Sequence, residues 1–303
     1  MSVNQAVIFT KPVHHLGIDL TACQLDELAR SFFEAKGFSF VLSQKVTGPE
    51  LATREVIKKH YLMYSKAACA ATPADLGVSD EGKAKFEAAF GKSWDDEVAA
   101  KRIMGTAELL ANNGLDVHEL FDLWNGLFVH GKTAKIQDGL IMAYIEKLDA
   151  YCINAFYPSM EANLYDEATE IDYYVVEFDP GQVSWADFRK KILGATNASN
   201  AVPESLRGQL YSEYPVEFPG RDNFVHGSAG PFEGFVERAI HEPDFDMASN
   251  PVGQYLIGRG ATLESFNRWK ATQSVSELGG LFDATEEKNT ADIVPILDGV
   301  DFA

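Results

Sequence analysis

A chain of 303 residues, 46% hydrophobic and 23% charged, is long enough for one large domain or two ordinary ones and apolar enough for a real core. Its 26 Lys and Arg against 45 Asp and Glu leave a formal net charge of −19. That field repels nucleic acid and anionic membrane surfaces and excludes generic binding to either. The three cysteines, Cys23, Cys69 and Cys152, are widely separated and odd in number. They form neither a disulfide framework nor a zinc motif, and a reducing, cytoplasmic setting is the expectation. No apolar run is long enough to cross a bilayer, and alternation beginning at Ala6 leaves no room for a signal peptide.

In chain order, Ala6 to Thr10 is a short apolar run that predicts a buried strand, closed by Lys11-Pro12. Leu20 to Lys36 carries Leu25, Leu28, Ala29, Phe32 and Phe33 at helical spacing and stops at Gly37. Phe38 to Val46 predicts a second strand, and Gly48-Pro49-Glu50 opens a helix running through Tyr61. From about Ala70 to Tyr151 apolar residues recur at three and four, which predicts four helices and no strand. Strand character returns from Ile171 to Phe178, followed by a helix near Ser184 to Leu193 and a polar loop from Thr196 to Gln209. A turn at Gly227 to Gly230 leads into a helix at Pro231 that carries Phe232, Phe235, Val236, Ala239 and Ile240. Beyond His241 lies an extension with one expected helix, Leu263 to Leu278, and a weakly apolar acidic end at Ile293 to Leu297.

The most informative stretch is Asn223-Phe224-Val225-His226-Gly227-Ser228. A histidine between an apolar run and a glycine turn is approachable, and the helix that follows offers N–H groups and partial positive charge to an anion. Glu237 lies on that helix, where its carboxylate reaches back toward one ring nitrogen, fixes the tautomer and leaves the other as nucleophile. Arg207 stands 19 residues upstream, in a loop that begins Leu193-Gly194-Ala195-Thr196.

This loop resembles the signature loop of nucleoside diphosphate kinases, and N-x-x-H-G-S resembles that family's phosphohistidine motif. The first strand with Lys11-Pro12 is similar to the family's opening strand and its phosphate-contacting lysine. The resemblance covers roughly half the chain, in residues 6–66 and about 152–242. It implies a mixed α/β fold, an α+β sandwich with a ferredoxin-like core, discontinuous over 1–69 and 152–242, with a helical insertion at 70–151 and a C-terminal extension at 243–303. It also implies ping-pong transfer of a γ-phosphate between nucleoside tri- and diphosphates through a phosphohistidine, with Mg²⁺ on the phosphates.

Carried over residue by residue, the resemblance makes His226 the nucleophile and Glu237 its orienting partner. Asn223 matches the asparagine that contacts the sugar hydroxyl, and Lys11 the lysine near sugar and γ-phosphate. Thr196 and Arg207 keep the family's mutual spacing and would bind phosphate. Lys190 stands where an arginine is usual, and Tyr61 matches a tyrosine near the catalytic histidine. Lys11, Lys190 and Arg207 would then form a local basic pocket suited to phosphoryl transfer. The chain departs from the pattern at Val13-His14-His15 after Lys11-Pro12, at Ala229 where aspartate is usual, in a longer Arg207–His226 interval, and in a missing arginine beyond Tyr61. The insertion and extension imply a homo-oligomer other than the family's usual hexamer. They also keep a second reading alive, a weak or inactive kinase-like scaffold that docks protein partners on its insertion. His14-His15 lacks a third ligand and is read as solvent-exposed rather than metal-binding.

Overall fold

In the computed structural model of the chain, which describes residues 3–70, 72–137, 139–273 and 275–302, the run from Asn4 to Thr10 is a strand buried along its whole length. Eight strands lie among the described residues: β1 (Asn4–Thr10), β2 (Ser39–Thr47), β3 (Ile103–Gly105), β4 (Thr133–Gln137), β5 (Leu140–Ile145), β6 (Ala150–Ile153), β7 (Glu170–Phe178) and β8 (Val225–Gly227). The chain divides into two units, one of Met1–Val56 with Leu164–Ala303, the other Ile57–Asn163.

The first unit holds an antiparallel sheet in the order β2-β7-β1-β8. Counted within that sheet the order is 2-3-1-4. Helix Ala22–Ala35 joins its first two strands, and a helical stretch over 185–193 follows its third. This is the β-α-β-β-α-β ferredoxin-like arrangement of a mixed α/β fold. The first helix starts at Thr21, whose side chain accepts from the Gln24 N–H while Gln24 reaches back, a reciprocal cap. Its Leu25, Ala29 and Phe33, spaced by four, are fully buried against Ala6, Ile8, Tyr174 and Val176. Burying the Leu25 and Phe33 side chains contributes about 1.5–3 kcal/mol each.

Because strand side chains alternate, Gln5, Phe9 and Tyr173 point to the opposite face of the sheet, where Phe9 and Tyr173 stack on His241 of helix Pro231–His241. The outer side of that helix, with Phe232, Phe235 and Val236, is covered by the C-terminal extension through Phe245, Val252, Leu256, Phe266, Leu297 and Phe302.

The second unit corrects the expectation of an all-helical insertion at 70–151. Alongside its helices it contains a sheet in the order β3-β6-β5-β4, parallel between β3 and β6 and antiparallel elsewhere. Leu140, Ala143 and Tyr144 fall at the three-and-four spacing of a helix, and strands of three to six residues are too short for their period to assert itself. The unit also runs wider than 70–151, from 57 to 163.

Three smaller expectations change. The helix from Gly48 through Tyr61 breaks at Glu55, whose φ is +51°, into Gly48–Thr53 and Val56–His60. The polar loop Thr196 to Gln209 ends inside a helix, Leu206–Glu213, whose cap Ser205 accepts from the Gly208 N–H. The single helix Leu263 to Leu278 is two, Leu263–Thr272 and Val275–Thr285, and Ser274 between them lies outside the described residues. Among the described residues, no helix is long and apolar enough to cross a membrane.

Candidate active site

The site is built on the short strand β8, which lies antiparallel to β1 with His226 directly opposite Phe9. The two rings stack at 4.5 Å between centroids and 17° between planes, which fixes the imidazole plane. Just before β8, Phe224 adopts φ +66° with its ring buried, and its carbonyl accepts from the Lys11 N–H at 2.7 Å. A bulky residue in that region costs on the order of 1–3 kcal/mol, so the buried ring and this backbone bond hold a turn that an exposed chain would not keep.

After β8 the chain turns at Ala229-Gly230 and folds back as helix Pro231–His241, which brings Glu237 onto the histidine. Its Oε1 lies 2.8 Å from His226 Nε2, and its Oε2 accepts from Ser228 Oγ at 2.5 Å. Ser228 Oγ in turn accepts from the Val7 N–H at 2.9 Å, so the carboxylate is tied to the central strand. Burial holds the His226 pKa well below the usual 6.5, helped by the positive charges of Lys11, Arg207 and Arg189. The ring is therefore neutral near pH 7. The hydrogen bond to Glu237 assigns its proton to Nε2 and its lone pair to Nδ1.

Lys11 follows β1 directly. Its Nζ donates to the Arg221 carbonyl at 2.9 Å. Burial pushes its pKa down to about 7, and Arg207 and Arg221 add to the depression while Asp222 opposes it. Arg207 is buried as well, and its guanidinium donates to the Val225 carbonyl from Nε and Nη2 and to the Gly194 carbonyl from Nη1. Gly194 has φ +95°, and a Cβ there would meet Ser205 Oγ at 2.4 Å, so only glycine suits this corner. Asn223 is buried and donates to the carbonyls of Thr196 at 2.7 Å and Gly220 at 3.3 Å. Its Oδ1 has no hydrogen-bond partner among the described residues.

Of the residues expected from sequence, His226, Glu237, Lys11, Arg207 and Asn223 thus share one cationic neighbourhood, in which Glu237, Arg207 and Asn223 are buried and Lys11 and His226 partly so. Thr196 joins it through its carbonyl, its own residue being exposed. Lys190 is exposed, and its Nζ donates to Glu287 of the extension at 2.7 Å. Tyr61 belongs to the second unit, its ring 4.4 Å from that of His60.

Sequence reasoning missed four participants. Ser228 holds the far oxygen of Glu237, and Phe9 stacks on the histidine. Glu233 accepts from the Ala229 N–H and is raised well above the usual carboxylate range by burial and by Glu237. Arg189 acts on His226 through its charge. Two had a visible signal, Ser228 as the end of the N-x-x-H-G-S stretch and Glu233 through its four-residue spacing from Glu237; Phe9 and Arg189 need the register of β1 against β8 and the packing of the helical stretch over 185–193.

No protein-family model matches the chain, and no curated protein matches it. Among solved structures, the chain is similar to an NDP kinase from Pyrobaculum aerophilum, at 16% identity over 80% of this chain and 97% of that one, with a TM-score of 0.39. It is also similar to a nucleoside-diphosphate kinase from Borrelia burgdorferi with bound vanadate and ADP, at 16% identity over 80% of this chain and 89% of that one, with a TM-score of 0.36. Likeness of that strength carries no argument for the site. The ferredoxin-like strand order and the histidine's surroundings stand on the chain's own geometry.

Proposed function

We propose that this chain is a nucleoside diphosphate kinase-type phosphotransferase that moves a γ-phosphate between nucleotides through a phosphohistidine at His226. The observation that carries the reading is the bond from the neutral, partly buried His226 through Nε2 to Glu237, itself held by Ser228. In the first half-reaction the Nδ1 lone pair attacks the γ-phosphorus. An N–P bond forms as the bond from phosphorus to the bridging oxygen breaks, and the nucleoside diphosphate leaves with that electron pair. The Nε2 proton stays shared with Glu237, which stabilises the positive charge the ring gains. In the second half-reaction a terminal oxygen of another nucleoside diphosphate takes the phosphoryl group, and the neutral ring returns.

Lys11 and Arg207 supply positive charge beside this path, as loose phosphoryl transfer requires. The buried Asn223 Oδ1 is an acceptor suited to a sugar hydroxyl. Thr196, Lys190 and Tyr61 enter the proposal from the resemblance alone. Mg²⁺ enters as an ion carried on the nucleotide's phosphates. The cationic surroundings of His226 fit a phosphate chain and not a dedicated oxygen cage for the metal.

The experiment is incubation with Mg-ATP. His226 should gain one acid-labile, base-stable phosphate that a nucleoside diphosphate discharges, and His226→Ala should lose label and turnover together. Protein that binds ATP and stays unlabelled would favour the scaffold reading. That alternative has one observation of its own, because Arg207 and Lys190 already donate to partners within the chain.

A further inference from the structure

The C-terminal extension returns to the site at one place. Helix Val275–Thr285 ends beside the turn that follows His226, and the Glu287 N–H donates to the Ala229 carbonyl at 3.0 Å. The approach is close enough that a Cβ on Gly230 would lie 2.8 Å from the Thr285 carbonyl oxygen. There Glu286 and Glu287 both pair with Arg189, Glu287 at 3.3 Å, and Glu287 also pairs with Lys190 at 2.7 Å. Glu287 holds φ +57°, a left-handed conformation that this side chain does not choose by itself.

The segment is anchored on both sides of the acidic pair. Leu281 and Phe282 pack into the extension's core before it. After it, Asn289 Oδ1 accepts from the Trp185 N–H and from Asn4, each at 2.9 Å, and the Thr290 N–H donates to Asn4. A ligand that needs Arg189 and Lys190 therefore has to displace two carboxylates, while the backbone that carries them stays in place.

We propose that Glu286 and Glu287 are a built-in anionic occupant of a phosphate subsite formed by Arg189 and Lys190 beside the Ala229–Gly230 turn, so that the extension restrains phosphate binding at the site. The proposal rests on the phosphotransfer reading for its ligand class, the phosphate chain of a nucleotide. Glu287, which pairs with both cations, is bonded to the carbonyl of Ala229, three residues after His226, which puts this subsite close to the reacting ring, and the charge of Arg189 acts on that ring. The apparent affinity is reduced by the fraction of molecules in which the carboxylates have moved aside.

The test is titration calorimetry of inorganic triphosphate and of ATP on the full chain, the Glu286→Gln/Glu287→Gln variant, the Glu287→Gln variant and an Arg189→Ala/Lys190→Ala variant. The doubly neutralised variant should bind both ligands about five- to tenfold more tightly, the scale of two partly exposed ion pairs removed from competition. Glu287→Gln should show part of the gain, which keeps the test intact should the double variant fail to fold. Arg189→Ala/Lys190→Ala should bind more weakly than the parent. Unchanged or weaker binding in the two glutamine variants would overturn the proposal. Tighter triphosphate binding with no phosphate ever appearing on His226 would remove the phosphotransfer reading and keep the subsite. Labelling of His226 with affinities indifferent to Glu286 and Glu287 would do the reverse.

Discussion

Arg207 donates to the carbonyl of Val225 twice, from Nε at 3.1 Å and from Nη2 at 2.6 Å, and so pins the residue immediately before His226. Its third bond, from Nη1 to Gly194 at 2.8 Å, ties the start of the loop to the same point. Truncation would leave two carbonyls without this partner in a buried place. Arg207→Ala should therefore lose about 2–4 kcal/mol of stability in urea unfolding, besides any loss of phosphate affinity. Arg207→Lys should not restore it, because an ammonium lacks the planar fork that spans both carbonyls. An Arg207→Ala protein as stable as the parent would refute the pinning role.

Glu237 orients the histidine and Ser228 orients Glu237, and the two variants should differ in degree. Glu237→Gln should slow single-turnover phosphorylation of His226 by about 10- to 100-fold with little change in nucleotide affinity. Ser228→Ala leaves the carboxylate present and less constrained, so its loss should be smaller. Quenched-flow labelling ranks them, and a larger effect from Ser228→Ala would reverse the order of dependence.

Lys11 gives the protein a distinctive pH dependence. Its pKa is about 7 in the folded chain against 10.5 for an ordinary lysine, so between these values the unfolded chain binds the extra proton. Stability should therefore rise with pH from about 7 toward 10.5, because below that window the folded state carries the cost of a buried charge. Lys11→Met should flatten this slope in urea melts taken across the window. Phosphate affinity should run the opposite way, strongest where Lys11 is charged, and the difference between parent and variant isolates that contribution.

The extension buries Phe232, Phe235 and Val236 within its own chain, which removes one apolar helix face from any interface between copies. Light scattering on the purified protein should give a mass other than that of a hexamer. A clean hexamer would show that assembly uses surfaces the extension leaves open.

The first unit was legible where a single period dominated. Leu25, Ala29 and Phe33 announce a helix, Ala6 to Phe9 and Ile171 to Phe178 announce strands, and each is found. The pairing of His226 with Glu237 was legible too, because strand, turn and helix follow one another and the eleven-residue interval closes locally. What stayed hidden depended on distant chain. Nothing in the sequence around Lys190 signals its pairing with Glu287, 97 residues later. The sheet of the second unit hid because Ile103–Gly105 and Ala150–Ile153 are too short to display a period, and their parallel pairing joins segments almost fifty residues apart.

The place of β1 in its sheet has a consequence during synthesis. Ile8 pairs with Tyr174 on one side and Gly227 on the other, so this apolar strand emerges from the ribosome long before either partner exists. At about 5–20 residues per second, the wait for β7 alone is roughly 10–30 s. Within that interval the whole of Ile57–Asn163 is translated, a unit with its own sheet and its own core. The first unit, which carries His226, is thus completed last, from segments at both ends of the chain. Over the same seconds β1 exposes its unpaired edges, while helix Ala22–Ala35 is already made and can cover one of its faces.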